Sequence, residues 1–414
     1  MKKTLLAAAL ALGFTGVAQA ETSVTLYGLI DAGFGWHQSK GEVRNTTTGA
    51  TQTVKSTRTG LHDGTQNGQS GSRFGLRGTE DLGNGLRAEF TLEQGFNIGS
   101  GGFQQHGTGM DRQFSRQAWI GLASDSWGSL RFGRQHNVGT DFLLGMIDPF
   151  GGGFGLANGG QAFAAINTNR MDNTVKYVTP NFSGFQFGVA YSFNTNGGQS
   201  ATHEELRNPN VRAFSTGLRY ANGPLGVALS YDQKQNSRAS EPTTVLGVPV
   251  PRQNNAGESV TVKQWVLGAS YDFEVVKLSG AFGQLRDGAY ASAGLGPDSS
   301  LNYLDSTGNW AATGNRIGEF DKGFKANSYL VGLSAPLGAG NLMVSWGMID
   351  PRSDPDRFTG GEASLEKQHT YALGYTYDLS KRTNVYAYGA YQKNAGLVDD
   401  AKKSTVAVGL RHRF

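Results

Sequence analysis

Short turns and long loops alternate along this sequence, and the segments between them alternate apolar with polar residues. Within 72–96, for example, Leu86 and Phe90 fall on one face of a strand and Arg87 and Glu89 on the other. One such hairpin would also suit a soluble two-faced sheet. Seven short turns and eight long loops joining sixteen strands indicate a closed membrane β-barrel instead. An even number of strands places both chain ends at the short-turn rim.

The positions of these connections follow from clusters of Gly, Asn, Asp and Pro, the residues that turns favour. The predicted short turns are 81–85, 124–128, 180–184, 222–224, one around Glu274, 337–340 and 379–383. The predicted long loops are 38–70, 98–112, 137–169, 195–210, 236–258, 287–324, 351–366 and 394–402.

Composition supports a barrel with a wet interior. Glycine makes up 61 of 414 residues, about twice the usual share of roughly 7%, while hydrophobic residues make up only 38%. The absence of cysteine excludes thiol chemistry and metal–thiolate sites. The net charge of +4 comes with no basic block, so nothing indicates nucleic-acid binding.

The first twenty residues have the pattern of a secretory signal. Lys2 and Lys3 precede a short apolar run, and Ala18-Gln19-Ala20 is a small-residue cleavage site. A membrane-anchoring helix is the alternative, but the apolar run is too short for a comfortable span. We therefore predict a signal peptide at 1–20 and a single barrel domain at 21–414.

The third long loop, 137–169, is unlike the others. It is rich in Gly, Asn and small apolar residues and has no steady helical or strand period. A loop of this length without structure of its own is normally either functional or disordered. We predict that it folds into the lumen of the barrel and sets the width of a pore.

The chain resembles the general trimeric porins of Gram-negative outer membranes, most closely the betaproteobacterial type. The resemblance covers essentially the whole chain and rests on five stretches: 72–96, 116–135, 175–193, 377–391 and 406–414. It implies an all-β fold, a 16-stranded antiparallel transmembrane barrel with an inward third loop. It also implies a homotrimer and a terminal Phe414 that the barrel-assembly machinery reads.

Four arginines are candidates for the basic wall of a pore constriction. Strand alternation turns Arg73 and Arg131 inward. The period is ambiguous for Arg116, since Ala118 and its alternate neighbours share its parity, so only the resemblance places Arg116 inward. The resemblance also assigns Arg170, just after the inward loop. Arginine suits such a wall because it stays charged at any working pH.

Two aspartates are candidates for the opposing acidic loop. Related porins often carry Pro-Glu-Phe-Gly there, whereas this chain has Ile147-Asp148-Pro149-Phe150-Gly151. The order of acid and proline differs, so Asp148 and Asp141 both stand as candidates. Opposed charges would create a transverse field that sorts solutes by charge and dipole.

Three further cations, Arg77, Arg87 and Lys176, alternate with apolar neighbours and are predicted to face the lumen. The alternative for some of the basic residues, Arg77 and Arg87 first, is an ordinary salt bridge with Glu89 or Glu93 that stiffens the wall.

No enzyme motif stands out. The sequence has no nucleophile elbow and no P-loop, and its seven histidines never occur at metal-ligand spacing. We predict no enzyme activity, metal or cofactor.

The predicted function is passive diffusion of small hydrophilic solutes and ions across the bacterial outer membrane, with a mild anion preference. A substrate-specific channel, a surface barrel with an adhesin or receptor role, and a barrel enzyme remain alternatives. Outer-membrane lipid and lipopolysaccharide are the expected surroundings.

Overall fold

The computed structural model describes residues 23–45, 51–65, 67–103, 113–166, 169–195, 211–236, 243–245, 248–250, 259–290, 310–311, 317–356 and 365–414. The predicted signal peptide at 1–20 lies outside these ranges, so the boundary between signal and barrel stays a prediction. Much of the predicted loops 98–112, 195–210 and 287–324 also lies outside them.

Sixteen antiparallel strands form the closed wall, which confirms the predicted fold class. They are β1 (Ser23–Asn45), β3 (Arg73–Gly83), β4 (Leu86–Gly95), β5 (Gln117–Ser124), β6 (Gly128–His136), β7 (Arg170–Val178), β8 (Phe185–Ser192), β9 (Val211–Asn222), β10 (Leu225–Asn236), β13 (Val260–Asp272), β14 (Lys277–Arg286), β16 (Lys325–Leu337), β17 (Gly340–Ser353), β18 (Gln368–Asp378), β19 (Thr383–Lys393) and β20 (Lys402–Arg413). Four further strands lie in the long loops: β2 (Thr51–Asp63), β11 (Thr243–Val245), β12 (Val248–Val250) and β15 (Trp310–Ala311).

The first and last strands close the barrel. β1 pairs with β20 from Leu29–Arg413 to Lys40–Lys402, and Phe414 exchanges two backbone hydrogen bonds with Gly28. All seven predicted short turns join neighbouring wall strands at one rim. The N-terminal end of β1 and the C-terminal end of β20 both lie at that rim, as an even number of strands requires.

The predicted loop at 38–70 is largely strand, so that prediction is wrong. β1 continues to Asn45 and pairs with β2 from Ala32–Asp63 to Arg44–Thr51. β3 pairs only with Ser23–Leu29 of β1, so the upper half of β1 would otherwise leave its backbone groups unpaired. β2 supplies those partners. The short hairpin β11–β12 likewise lies in the predicted loop 236–258.

The two faces of the wall follow the alternation in the sequence. On β1, Leu26 and Phe34 are exposed on the outer face, whereas Asp31 is completely buried on the inner face. On β20, Val406, Val408 and Leu410 are exposed outward. An apolar outer band with a polar interior is the arrangement of an outer-membrane barrel. Among the described residues, no helix is both long enough and apolar enough to cross a membrane.

The inward loop contains a helix that the sequence did not predict. Helix α1 (Val138–Ile147) begins the loop, and three short 3-10 turns follow at Gly155–Ala157, Gly159–Gln161 and Ala164–Ile166. The apolar residues Val138, Phe142, Leu143, Met146 and Ile147 of α1 are buried. They pack inside the barrel with Phe163 of the same loop and with Tyr290, Ile317 and Phe324 of the later loop 287–324.

Glycines on the inner face of the wall make room for α1. A Cβ at Gly188 or Gly217 would meet Val138 and Phe142, one at Gly226 would meet Met146, and one at Gly268 would meet Ile147 and Leu143. These four glycines lie on the successive strands β8, β9, β10 and β13. They form a shallow groove in which the helix lies against the wall, and the open part of the lumen is left on the opposite side.

Candidate pore constriction

Both ends of α1 are attached to the wall by hydrogen bonds. At its start, Val138 N donates to Ser215 Oγ at 2.9 Å, and Asn137 Nδ2 donates to Asp232 Oδ1 at 2.6 Å. At its end, Lys277 Nζ donates to Gly145 O at 3.2 Å. Val138 N and Gly145 O are backbone groups at the helix ends that have no partner within the helix, and the wall supplies partners for both. The inward loop is therefore held at a fixed position across the lumen.

The structure places Asp148 away from the open lumen, which corrects its predicted role as an acidic group facing the pore. Its carboxylate accepts backbone N–H groups from Phe150 at 3.0 Å, Gly152 at 2.8 Å and Gly159 at 3.0 Å, and the residue is only 6% exposed. Burial raises its pKa, and the three N–H donors only partly oppose that rise. Asp148 therefore stabilises the glycine-rich turn of the loop. The changed order of acid and proline is the sequence signal for this difference.

Asp141 lies on the lumen side of α1, but it is paired with the wall. Its Oδ2 accepts a hydrogen bond from Lys176 Nζ at 2.7 Å, and its Oδ1 lies 3.6 Å from His136 Nδ1. Burial alone would raise the pKa of Asp141, but Lys176 and His136 outweigh burial and hold that pKa below its usual range. Lys176 does point inward, yet the loop covers it and leaves its side chain 2% exposed.

We expect this ion pair to make the inward loop resistant to acid. Because the folded pKa of Asp141 is lowered from 3.8, the stability it contributes is present above about pH 4 and is lost as the pH falls through the lower folded value. Lys176→Met should therefore destabilise the inward loop near pH 7, where the pair is intact in the wild type, and the two proteins should converge as the pH falls below about 4. Single-channel recordings of the open current between pH 7 and about pH 2 measure this difference. Lys381→Met, in the exposed turn 379–383, is the matched control, and identical pH profiles for the two variants would contradict the role of the pair.

A second segment also folds into the barrel, which the sequence analysis missed. Asp31 on β1 accepts Ser70 N at 2.7 Å and the Tyr386 hydroxyl at 2.7 Å, so residues 67–72 are drawn inward. Phe154 N of the inward loop donates to Gly68 O at 2.6 Å. The buried Asp31 amid glycines on β1 was the available signal, because a buried carboxylate needs partners.

The two inward segments and the wall enclose a cavity of about 700 Å³. Arg73 and Arg116 lie on its wall side, and Gly151–Gly153 lie on its loop side. The other residues that line it are His37, Gln38, Ser39, Ser56, Arg58, Gly64, Thr65, Asn67, Gln69, Ser70, Gly71, Gly155, Leu156, Asn158, Gln161, Lys403, Ser404 and Thr405. None of these cavity-lining residues is acidic, so the cavity carries a positive charge.

The carboxylate of Glu93 lies between Arg73 and Arg116. Glu93 Oε1 accepts Arg116 Nε at 2.7 Å, its Oε2 lies 3.9 Å from Arg73 Nε, and the Tyr27 hydroxyl donates to it at 3.1 Å. Arg116 precedes β5, where Phe114 has a φ of 54°, so strand parity does not set its direction. Two guanidinium groups with one carboxylate leave a net charge of +1 beside the cavity.

Two more arginines lie behind this pair. Arg170 is paired across β6 and β7 with His136, and the charges of Arg116, Glu93 and Arg134 all act on it. Arg134 forms an ion pair with Asp172 and donates to Ser115 O at 2.6 Å. Arg170 therefore extends the basic wall toward the start of the inward loop, but it is not among the residues that line the 700 Å³ cavity.

The structure separates the remaining candidates from this cavity. Arg87, Arg131 and Asp141 line a second space of about 510 Å³ toward the short-turn rim. Arg131 stacks over the Trp119 ring at 4.4 Å and lies 3.5 Å from Glu89, while Arg87 lies 3.0 Å from Asp125. Arg77 lies over the Tyr27 ring at 5.4 Å. The structure therefore supports the alternative interpretation of Arg87, which is an ordinary salt bridge.

Sequence reasoning also missed Arg411 on β20. Its Nε donates to Asn384 Oδ1 at 3.1 Å and its Nη1 to Ser70 Oγ at 3.1 Å, so it points inward and supports the second inward segment. The alternation of β20 was the available signal, since Arg411 has the opposite parity to Leu410. No cluster of three or more metal-ligating side chains occurs within the part of the chain that the structure describes.

Comparisons with known proteins agree with this geometry. A family model described as a Gram-negative porin matches residues 6–397. An outer membrane porin protein of Bordetella pertussis is 49% identical over 419 residues, covering 100% of both chains. Outer membrane porin protein 32 of Delftia acidovorans is 32% identical over 436 residues, again covering 100% of both. Among solved structures, an anion-selective porin from Comamonas acidovorans aligns with a TM-score of 0.63 and 27% identity, covering 95% of this chain and 100% of that one.

Proposed function

Because the chain belongs to the family of Gram-negative porins, we propose that its solutes pass between Arg73 and Arg116 on the wall and the Gly151–Gly153 turn of the inward loop. The protein is a passive channel of the outer membrane. We propose in addition where the narrowest point of this channel lies and whether that point favours anions or cations. Arg170 belongs to the same basic wall, whereas Arg131 lies apart from it, beside Glu89 in the space nearer the short-turn rim.

The observation that carries the proposal is the asymmetry of charge across the 700 Å³ cavity. The wall side holds arginines, and the loop side offers glycine backbone, because Asp148 is buried and Asp141 lies elsewhere. A field from one side only attracts anions and repels cations throughout the passage. We therefore propose a mild preference for anions. The name of the Comamonas acidovorans relative, an anion-selective porin, points in the same direction.

We further propose that the protein assembles as a homotrimer, on the basis of its resemblance to general trimeric porins. The role of Phe414 as a signal for the barrel-assembly machinery also stays a proposal. Its support is that Phe414 lies at the end of the outward face of β20, 45% exposed, and is hydrogen-bonded to β1.

Single-channel recording of the purified protein in planar bilayers, with a potassium chloride gradient, tests both proposals. We expect conductance steps that close in groups of three and a reversal potential whose sign indicates chloride preference. A cation-selective reversal potential would contradict the proposed narrow point, and single independent closures would contradict the trimer.

A further inference from the structure

Two histidines meet on the inner face of the wall, where β1 pairs with β2. In the strand register His62 lies opposite Gly33, and His37 lies farther along β1, beyond Gly35. Their side chains lean toward each other, so the ring centroids are 6.1 Å apart and the ring planes are inclined by 75°. Only the pairing of β2 with β1 brings these residues together, which is why their spacing in the sequence does not resemble a metal site.

Three glycines leave room around the two rings. A Cβ at Gly33 would lie 2.7 Å from His62 Nε2, and one at Gly35 would lie 2.9 Å from His37 Nε2. A Cβ at Gly60, which lies opposite Gly35, would meet no atom within 4 Å. The Nε2 atoms of both histidines therefore lie over a part of the inner face that carries no side chains at these positions.

The Nε2 atoms of this pair have no hydrogen-bond partner within the described ranges of the chain, although both atoms are buried. His62 as a whole is only 5% exposed. His37 Nδ1 lies 3.2 Å from Thr405 Oγ1, and a proton on Nδ1 leaves the lone pair of Nε2 free. A buried polar atom without a partner costs free energy, so this arrangement favours a ligand that both nitrogens can bind.

The separation of the rings suits a metal ion between them. Bonds from zinc to imidazole nitrogen are about 2.0 to 2.1 Å long, so the centroid of a ligating ring lies about 3.2 Å from the ion. Two imidazoles in tetrahedral geometry then have centroids about 5.2 Å apart. The observed 6.1 Å differs from that distance by about 1 Å, which rotations of the two side chains over the glycines can supply.

The charges near the pair determine which ions it can hold. Arg58 lies opposite His37 in the strand register, and Lys403 lines the same cavity as His37. The negative charge of Asp63 acts on His62 from the other side. Two cations against one carboxylate disfavour Mg²⁺ and Ca²⁺, which bind oxygen ligands. Ions that bind imidazole nitrogen, such as Zn²⁺ and Cu²⁺, are the class that fits.

We propose that His37 and His62 bind one Zn²⁺ or Cu²⁺ ion through their Nε2 atoms, with water completing its coordination. His37 lines the 700 Å³ cavity, so the ion lies at the edge of the solute path. Its two positive charges repel cations and attract anions, so metal binding strengthens the preference of the channel for chloride. This effect on selectivity rests on the proposed narrow point, whereas binding of the metal does not.

Calorimetric titration of the purified, assembled protein with zinc chloride measures binding, and magnesium chloride is titrated in parallel. We expect the tightest site to take one zinc ion per chain. Both His37→Gln and His62→Gln should bind zinc at least roughly tenfold more weakly, since even the loss of an outer partner of a ligating histidine weakens metal binding about 10- to 100-fold. His412→Gln is the matched control, because it removes a single exposed histidine at the short-turn rim, and it should bind zinc as the wild type does.

Reversal potentials in a potassium chloride gradient, recorded with and without zinc, measure the effect on the channel. We expect zinc to shift the wild-type reversal potential toward stronger chloride preference and a chelator to reverse the shift. His62→Gln should show no shift, and this variant is the more informative one because His62 is not among the residues that line the cavity. The metal-free conductance of each variant shows that it is folded.

Two results would overturn the proposal. The first is equal zinc binding by the wild type and by a folded His37→Gln/His62→Gln variant. The second is binding of magnesium as tight as that of zinc, because charge and not imidazole would then hold the ion. Zinc binding that both histidine variants lose, without any shift of the wild-type reversal potential, would confirm the metal site and contradict the position of the narrow point instead.

Discussion

The double variant Arg73→Gln/Arg116→Gln should remove most of the channel's preference for anions. Removing both guanidinium groups changes the net charge of Arg73, Arg116 and Glu93 together from +1 to −1, while Arg58 and Lys403 still line the cavity. A unit charge about 7 Å from an ion changes its energy by about 0.6 kcal/mol in water-like surroundings. Removing two charges therefore lowers the local anion concentration by roughly eightfold before screening by salt. The reversal potential in a potassium chloride gradient measures the change.

A third substitution makes this test sharper and protects it against misfolding. In the double variant Glu93 is a buried carboxylate without its cations, which destabilises a fold. Adding Glu93→Gln removes that carboxylate and leaves the cluster neutral. We expect chloride preference to decrease in the order wild type, triple variant, double variant, and the triple variant should keep the weaker preference that Arg58 and Lys403 supply. Arg382→Gln, in the exposed turn 379–383, should behave as the wild type, and any other order would contradict the assigned narrow point.

Strand alternation was sufficient to predict the wall of this barrel. Each wall strand has one face toward lipid and one toward the lumen, so a period of two is imposed by the surroundings. The parity of Phe74 and Leu76 thus placed Arg73 inward, and the structure agrees. The turns could be predicted equally well, because Gly83, Asn84 and Gly85 all have a positive φ, which those residue types favour.

The interior of the lumen could not be predicted in the same way. Helix α1 packs against wall glycines that are far away in sequence, and it is buried on most of its surface, so no polar stripe reveals a helical period. The surroundings of the two loop aspartates likewise depend on partners that the sequence pattern does not identify. Asp141 meets Lys176 on β7, and Asp148 meets backbone groups that the turn itself creates. Only the assembled loop determines that neither one faces Arg73 and Arg116.

Filling the glycine groove beneath α1 should also have a large effect, on the stability of the open channel. Gly268→Val should make the open channel unstable, because a Cβ at this position would lie 2.6 Å from Ile147 Cγ2 and 2.8 Å from Leu143 Cδ2. Overpacking of this kind typically costs about 1 to 3 kcal/mol, which corresponds to roughly a 5- to 150-fold change in the balance between two loop positions. The attachments at Ser215 and Lys277 oppose the displacement of the helix. We therefore expect a noisier open current and closure at lower voltage.

Gly347→Ala is the matched control for this experiment. Gly347 also faces the inward loop, but a Cβ there would lie 3.6 Å from the Ala162 Cβ, an ordinary contact. Gly268→Ala should fall between the control and Gly268→Val, because it adds the colliding Cβ without the two methyl groups. A steady current at the wild-type conductance in Gly268→Val would mean that the wall glycines do not hold the loop in place. The position of the inward loop would then depend mainly on its hydrogen-bonded ends, and substitution of Ser215 and Lys277 should produce the unstable current instead.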